Sequence, residues 1–208
     1  MSEVVRRTRL EADERRRQII AAARHLFARG HYASVSLQDI ADEAGVARGL
    51  LHHYFESKRD LYLEVARDML RIPRLPTPEE LDGIAVSDVW AGSVEWWLDM
   101  IEGNREEWLH TVRAGESGYD PEVRVIIDES SEVLVERILQ ALGMDVDEAS
   151  PALRAVVRSY GGLAQEATRE WLERGRLTRE QVRVLLIGAM PLIAGELWPE
   201  VLAAGNEG

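Results

Sequence analysis

With 208 residues and 46% hydrophobic side chains, the chain can hold one large domain, or a small head and a larger body, around a buried core. It contains no cysteine, which excludes disulfides and thiolate metal sites. A net charge of -12 argues at first against a nucleic-acid partner. The distribution of charge changes that view. Residues 1–60 carry 11 basic and 9 acidic side chains, and the remainder carries 14 and 28. Arg6, Arg7, Arg9, Arg15, Arg16 and Arg17 cluster near the start. A basic end on an acidic body can bind a polyanion with that end alone, although a solvated arm fits the counts equally well. The first residues lack the apolar run of a signal peptide or anchor, and no roughly 18-residue uninterrupted apolar stretch stands out as a membrane span. A cytoplasmic protein without membrane partners is the expectation.

Nearly the whole chain reads as helix. Ile19, Ala23, Leu26 and Phe27 recur at helical spacing and place a first helix over 11–29, closed by Gly30. Ser36 is a good N-cap for a second, which runs to about Ala44 with Leu37, Ile40, Ala41 and Ala44 facing inward. Gly45 supplies a turn, and a third helix covers about 47–54. Ser57 caps a fourth to about Leu70, with Leu61, Val65 and Met69 on its face. The run IPRLPTP then places three prolines within 73–78, which no helix crosses. Five longer helices follow, at about 87–102, 104–114, 120–142, 150–174 and 178–197. Asp120-Pro121 and Ser150-Pro151 are cap-then-proline starts, and Thr178 with Gln181 forms a capping-box pattern. Pro191 is expected to kink the last helix. The β-rich run VRVII at 123–127 lies inside a helical pattern. The fold class is thus all-α, with about nine helices.

The segment VARGLLHHYFESK, residues 46–58, has the oddest composition. Two short helices separated by a glycine turn make a helix-turn-helix, whose second helix enters the DNA major groove. Arg48 can donate in a fork to guanine or phosphate. Gly49 removes a side chain where a backbone must approach closely. His52 and His53 offer ring N–H donors, and Lys58, the only lysine, stands at the start of the fourth helix where a phosphate can bind. Leu51 and Phe55, four apart, face inward, whereas Tyr54 can serve either side. The adjacent histidines point about 100° apart on a helix, so they cannot share a metal, and no metal or cofactor site is expected.

The pattern AAARHLFARGHYASVSLQDIADEAGVARGLLHHYFESKRDLY, from Ala21 to Tyr62, resembles the DNA-binding domain of the TetR family of transcriptional regulators. The parts that carry the resemblance are Leu26-Phe27 after the alanines, Gly30 with Tyr32, Asp39-Ile40-Ala41, Gly45-Val46, Leu51, His53, Tyr54-Phe55 and Ser57-Lys58-x-x-Leu61. The resemblance implies a helix-turn-helix domain at 1–56 and a helical ligand-binding and dimerisation domain at 57–208. It implies DNA contacts at Arg48, Gly49, His52, His53 and Lys58, with Ser36, Gln38, Ala47, Leu50 and Tyr54 as further candidates. Three positions depart from the pattern. A hydroxyl residue is usual at Ala47, where it caps the recognition helix; threonine is common at Leu50; tyrosine is usual at His52. Leu50 can instead read a thymine methyl.

In the second part, Trp90, Val94, Trp97 and Ile101 form one helical stripe, with Trp96 and Met100 beside it. With Trp108, Val112, Tyr119, Tyr160, Glu166 and Trp171 they are candidates for a mainly apolar small-molecule pocket; His110, Arg113, Gln165 and Glu166 are its buried polar candidates. Ordinary core is the alternative. Small residues Ala155, Ser159 and Gly162, with Val182, Leu186, Ala189 and Ile193, are candidates for a dimer surface, or merely for closure of their own domain. A palindromic operator needs a two-fold protein, so the homodimer and DNA readings support each other. The leading expectation is a repressor released from a palindromic operator by a small apolar or aromatic effector. The competing ones are a helical enzyme using His110, Glu116 or Glu166 as acid or base, and an interaction protein with an inactive DNA-binding head.

Overall fold

The computed structural model describes the backbone of residues 2–30, 32–116 and 120–205, and side chains over the same stretches except 2–11, 116, 202 and 205. Every described element is helical. The order is α1 (Ser2–Arg29), α2 (Leu37–Glu43), α3 (Arg48–Tyr54), α4 (Lys58–Met69), a 3₁₀ turn (Pro78–Glu80), α5 (Val86–Gly103), α6 (Arg105–Glu116), α7 (Pro121–Ala141), α8 (Pro151–Leu172), α9 (Arg179–Leu192), a π-helical turn (Ile193–Leu197) and α10 (Trp198–Gly205).

Local signals explain most boundaries. Ser36, Ser57, Ser150 and Thr178 are N-caps whose hydroxyls accept the N–H three residues on. At Ser36 and Thr178 the capping box closes in both directions through Asp39 and Gln181. Residues 71–77, which hold Pro73 and Pro76, form no helix or strand, and VRVII is absorbed into α7. Two differences stand out. The helix α1 begins at Ser2 rather than near residue 11, because the arginine-, glutamate- and leucine-containing start favours helix. The last helical run continues past residue 197: a π-helical turn follows Pro191, a common way to absorb a residue that disrupts the regular bonding, and leads into α10.

The chain forms two compact units: residues 1–71 with 106–127, and 72–105 with 128–208. The first unit thus keeps α4, which the division after residue 56 had assigned to the second part. The reason is packing: Leu61, Tyr62, Val65, Ala66 and Met69 of α4 are buried, and α4 lies along α1, whose Ile19, Ala23 and Phe27 are equally buried. Most of α6 and the start of α7 also belong to this unit.

In the second unit α9 packs on both α5 and α8. Its core holds Val94, Leu98 and Ile101 of α5, Val135, Ile138 and Leu139 of α7, Val157, Tyr160 and Leu172 of α8, and Val182, Leu186 and Met190 of α9. The helix Arg179–Val201 is long and apolar enough, by length and composition alone, to cross a membrane, although charged residues interrupt it; 11% of its most apolar stretch is buried. Val184, Leu185, Leu192, Leu197 and Val201 are among its exposed residues.

Candidate DNA interface

The helix pair is built by short-range forces. Gly45 has φ +63°, a left-handed conformation that a side chain disfavours, and it reverses the chain between α2 and α3. The turn is closed by N–H bonds from Gly45 to Asp42 (3.1 Å) and from Val46 to Ala41 (2.9 Å). Leu51 and Phe55 are buried at 1% and 4% exposure and fix which face of α3 looks outward. Arg16 lies over the Phe55 ring at 5.3 Å and is also paired with Glu64 of α4, so α1, α3 and α4 are tied together at one point.

On the outward face, Arg48, Gly49, His52 and His53 are exposed, while Leu50 and Tyr54 are half-buried. A Cβ at Gly49 meets nothing in the chain within 4 Å, so no contact inside the protein demands a glycine there. The His53 ring meets Tyr54 edge-on at 5.3 Å. Among the described residues, neither Arg48 nor either histidine has an ionic partner. The α3 helix also lacks a side-chain cap: Ala47 has the extended geometry of an N-cap (φ -69°, ψ 137°) but no oxygen to accept an N–H.

Ser36 and Gln38 are exposed, yet both side chains already have work within the chain: Ser36 Oγ caps α2, and Gln38 donates to Asp42 at 2.8 Å. Asp39 accepts the Ser36 N–H at 2.8 Å, which holds its carboxyl below the usual range, with a further pull from Lys58. Lys58 is half-buried, its ammonium 4.3 Å from the centre of the Tyr32 ring. Part of the basic cluster on α1 is neutralised: Arg16 by Glu64 and Arg17 by Glu14. The side chains of Arg6, Arg7 and Arg9 lie outside the described residues.

Sequence reasoning missed two features of this unit. One is Tyr32, noticed as part of a pattern but given no role. It sits in an aromatic cluster with Phe27 (5.8 Å) and Tyr62 (5.0 Å), and Tyr62 in turn meets His110 of α6 (6.3 Å). The other is Arg59, the neighbour of Lys58, which grips Asp120 and Glu122 at the start of α7. No sequence signal marks a pair 61 residues apart.

The candidate pocket residues are shared between the two units. Trp108 and Val112 are buried in the first unit; Trp90, Trp97, Met100, Tyr160, Glu166 and Trp171 belong to the second; Tyr119 lies outside the described residues. Trp90 and Tyr160 do meet, with ring centres 5.3 Å apart, and both donate to the Leu186 carbonyl, Tyr160 Oη at 3.0 Å and Trp90 Nε1 at 3.4 Å. Burial pushes the Tyr160 hydroxyl well above its ordinary pKa. Of the expected α5 stripe, Val94 and Ile101 are buried and Trp90 and Trp97 half-buried; Leu98 is fully buried beside them, and Trp96 is exposed. None of the expected buried polar residues is buried. Glu166 is exposed and paired with Arg174, Arg113 is exposed, and His110 and Gln165 are half-buried. Among the described residues the buried polar ones are Thr111 and Thr168, whose hydroxyls bond back to their own helices at Glu107 and Ala164. A cleft in the first unit between Arg24, Phe27, Tyr62, Val65, Glu107 and His110 has a volume of about 10 Å³, room for one water at most. Of the candidate dimer residues, Ala155, Ser159 and Gly162 are exposed and Ala189 and Ile193 half-buried, but Val182 (0%) and Leu186 (1%) are core. They are core because α9 turns them toward α5 and α8, leaving Val184 and Leu185 outside.

A glycine-turned helix pair with a donor-rich outer face, held on a helical scaffold, defines a helix-turn-helix DNA-binding protein. The family model for bacterial regulatory proteins of the TetR family matches residues 19–65, and that for the tetracyclin repressor-like C-terminal domain matches residues 86–191. The chain belongs to the TetR family. It is 24% identical over 175 residues to the HTH-type transcriptional activator FasR of Mycolicibacterium smegmatis, covering 82% of this chain and 78% of that protein. It is 32% identical over 94 residues to the HTH-type transcriptional repressor AcnR of Corynebacterium jeikeium, covering 44% and 50%. The crystal structure of a TetR-family regulator from Streptomyces coelicolor superposes with a TM-score of 0.66 at 25% identity, covering 92% of this chain and 89% of that one. The protein is a DNA-binding transcriptional regulator and not an enzyme.

Proposed function

We propose that the protein is a cytoplasmic repressor that binds a palindromic operator as a homodimer and leaves it when a small apolar or aromatic effector binds. The DNA-reading surface lies within residues 1–56 together with Lys58, and the sensing and pairing surfaces lie beyond. The observation that carries the reading is the state of α3. In a chain of net charge -12, where Arg16, Arg59, Arg154, Arg174 and Arg179 are each matched by a carboxylate, Arg48, His52 and His53 stay exposed and unmatched among the described residues. Donors held out on one short helix serve an anionic partner better than they serve the fold.

Pairing of two chains is supported by the exposed apolar face of α9 at Val184 and Leu185, and by Ala155, Ser159 and Gly162 exposed on α8. A large apolar face left in water favours a partner surface. An identical chain supplies the two-fold symmetry that a palindrome requires. The indole and phenol groups of Trp90 and Tyr160, converging on the Leu186 carbonyl, support an apolar or aromatic effector for the second unit. Among the relatives, AcnR is named a repressor and FasR an activator, and the transcription assay below distinguishes the two directions.

The test is selection of bound fragments from a genomic library with the purified protein, followed by transcription from a promoter carrying the selected site. The expected result is an inverted-repeat sequence protected by two chains, with transcription lowered by the protein. Recovery of no enriched sequence, or protection by a single chain on an asymmetric site, would remove this reading.

A further inference from the structure

Lys58 is the only lysine of the chain, and it stands at the first position of α4, beside the recognition helix. A lysine side chain has four rotatable carbons, so an unheld ammonium on a helix start loses considerable entropy when it settles on a phosphate. Here it is held before any DNA arrives. Its ammonium lies 4.3 Å from the centre of the Tyr32 ring, within the range of a cation–π contact. The Tyr32 ring is itself fixed, against Tyr62 at 5.0 Å and Phe27 at 5.8 Å, and Phe27 and Tyr62 are both buried. The nearby carboxylate, Asp39, attracts Lys58 only at longer range: it accepts the Ser36 N–H in the α2 capping box and makes no ion pair with the ammonium among the described residues. The ring therefore supplies an attraction that aims the charge without neutralising it. A carboxylate in the same place would cancel the charge toward DNA.

We propose that Tyr32 is a positioning residue for DNA binding: its ring face holds the Lys58 ammonium ready for an operator phosphate. This rests on the reading that Lys58 contacts DNA, and it goes beyond that reading by assigning a role to a residue outside the helix pair. The ring is what acts. The phenol oxygen is not needed, so phenylalanine should replace tyrosine and leucine should not.

The lone lysine makes the contact directly measurable. Reductive methylation with ¹³C-formaldehyde labels Lys58 and the chain's α-amine and keeps the positive charge; Lys58→Arg identifies which resonance is which. The Lys58 methyl signal of the native chain is expected upfield of an exposed dimethyl-lysine, because it lies over a ring face. Tyr32→Phe should retain the displacement and Tyr32→Leu should abolish it. A signal at the exposed position in the native chain, or one unchanged in Tyr32→Leu, overturns the contact whether or not the protein binds DNA.

The second arm uses the unlabelled protein with DNA. Tyr32→Leu should weaken binding to operator and unrelated duplex alike, by roughly two- to five-fold per subunit, and Tyr32→Phe should restore it. In the Lys58→Gln background the same Tyr32→Leu change should cost nothing further. An equal loss in both backgrounds means that the ring acts through folding alone and overturns the positioning role. Failure of the native protein to bind any DNA, with the upfield signal present, removes the DNA reading and the role together but leaves the contact standing.

Discussion

Arg59 and Asp120 form a fork-to-fork ion pair, with Nη1 to Oδ2 at 2.7 Å and Nη2 to Oδ1 at 2.5 Å. The pair joins the first turn of α4 to the residue that caps α7, since Asp120 also accepts the Val123 N–H at 3.2 Å. Glu122 adds a second carboxylate to the same guanidinium. The guanidinium holds the Asp120 carboxyl below its ordinary value of 3.8, against an opposing effect of partial burial. Because the folded value is the lower one, the pair's contribution to stability is complete above pH 3.8 and is lost as the pH falls toward the folded value.

Asp120→Asn should therefore destabilise the protein by about 1–3 kcal/mol at pH 7, the range for a charge-assisted hydrogen bond whose partner remains. The deficit should shrink as the pH is lowered below about 4, because the native carboxylate is then itself protonated. Urea unfolding of both proteins between pH 3 and 7 measures this. A difference that stays constant over that range shows that the charge of Asp120 contributes nothing.

Arg48→Ala should leave stability nearly unchanged, because the side chain is exposed and has no partner among the described residues. Operator affinity should fall by about 1–3 kcal/mol, and the preference at one base pair should relax if the guanidinium reads guanine. Binding assays on operator variants at fixed salt separate the two effects. A uniform loss across all sequences would assign Arg48 to phosphate instead.

Ala47→Ser should stabilise the protein by about 0.5–2 kcal/mol. Ala47 already has N-cap backbone geometry, and its only deficiency is an acceptor for the first-turn N–H groups of α3. Thermal unfolding reads the gain. No change in melting temperature would mean that those N–H groups are satisfied by water at no net cost.

Neighbours on α9 should behave oppositely. Leu186 is buried and Leu185 exposed. Leu186→Ala should cost about 2–5 kcal/mol as a core truncation, whatever the state of assembly. Leu185→Glu should keep its helical circular dichroism yet sediment as a monomer and lose operator affinity. A Leu185→Glu chain that still sediments as a dimer places the pairing surface elsewhere.

The sequence by itself determined the helices, their caps and the helix-turn-helix. Those depend on residues within a few positions of one another: Ser36 with Asp39, Thr178 with Gln181, Gly45 between two short apolar patterns, and Leu51 with Phe55 on one face. Forces of that range leave a pattern in the chain itself. The outward face of α3 was equally legible, because once Leu51 and Phe55 face inward, helical geometry turns Arg48, His52 and His53 outward.

Only the tertiary structure decided how the wide apolar helices turn and which distant charges meet. The α9 helix offers apolar residues on nearly every side, so its periodicity does not say that Leu186 enters the core while Leu185 stays in water; packing against α5 and α8 does. The same ambiguity on α5 put Leu98 inside and Trp96 outside. Arg59 has carboxylates much closer in sequence than Asp120, and Lys58 is 26 positions from Tyr32, so neither partnership follows from spacing. A charge finds its partner through the fold, whereas a helix cap finds it along the chain.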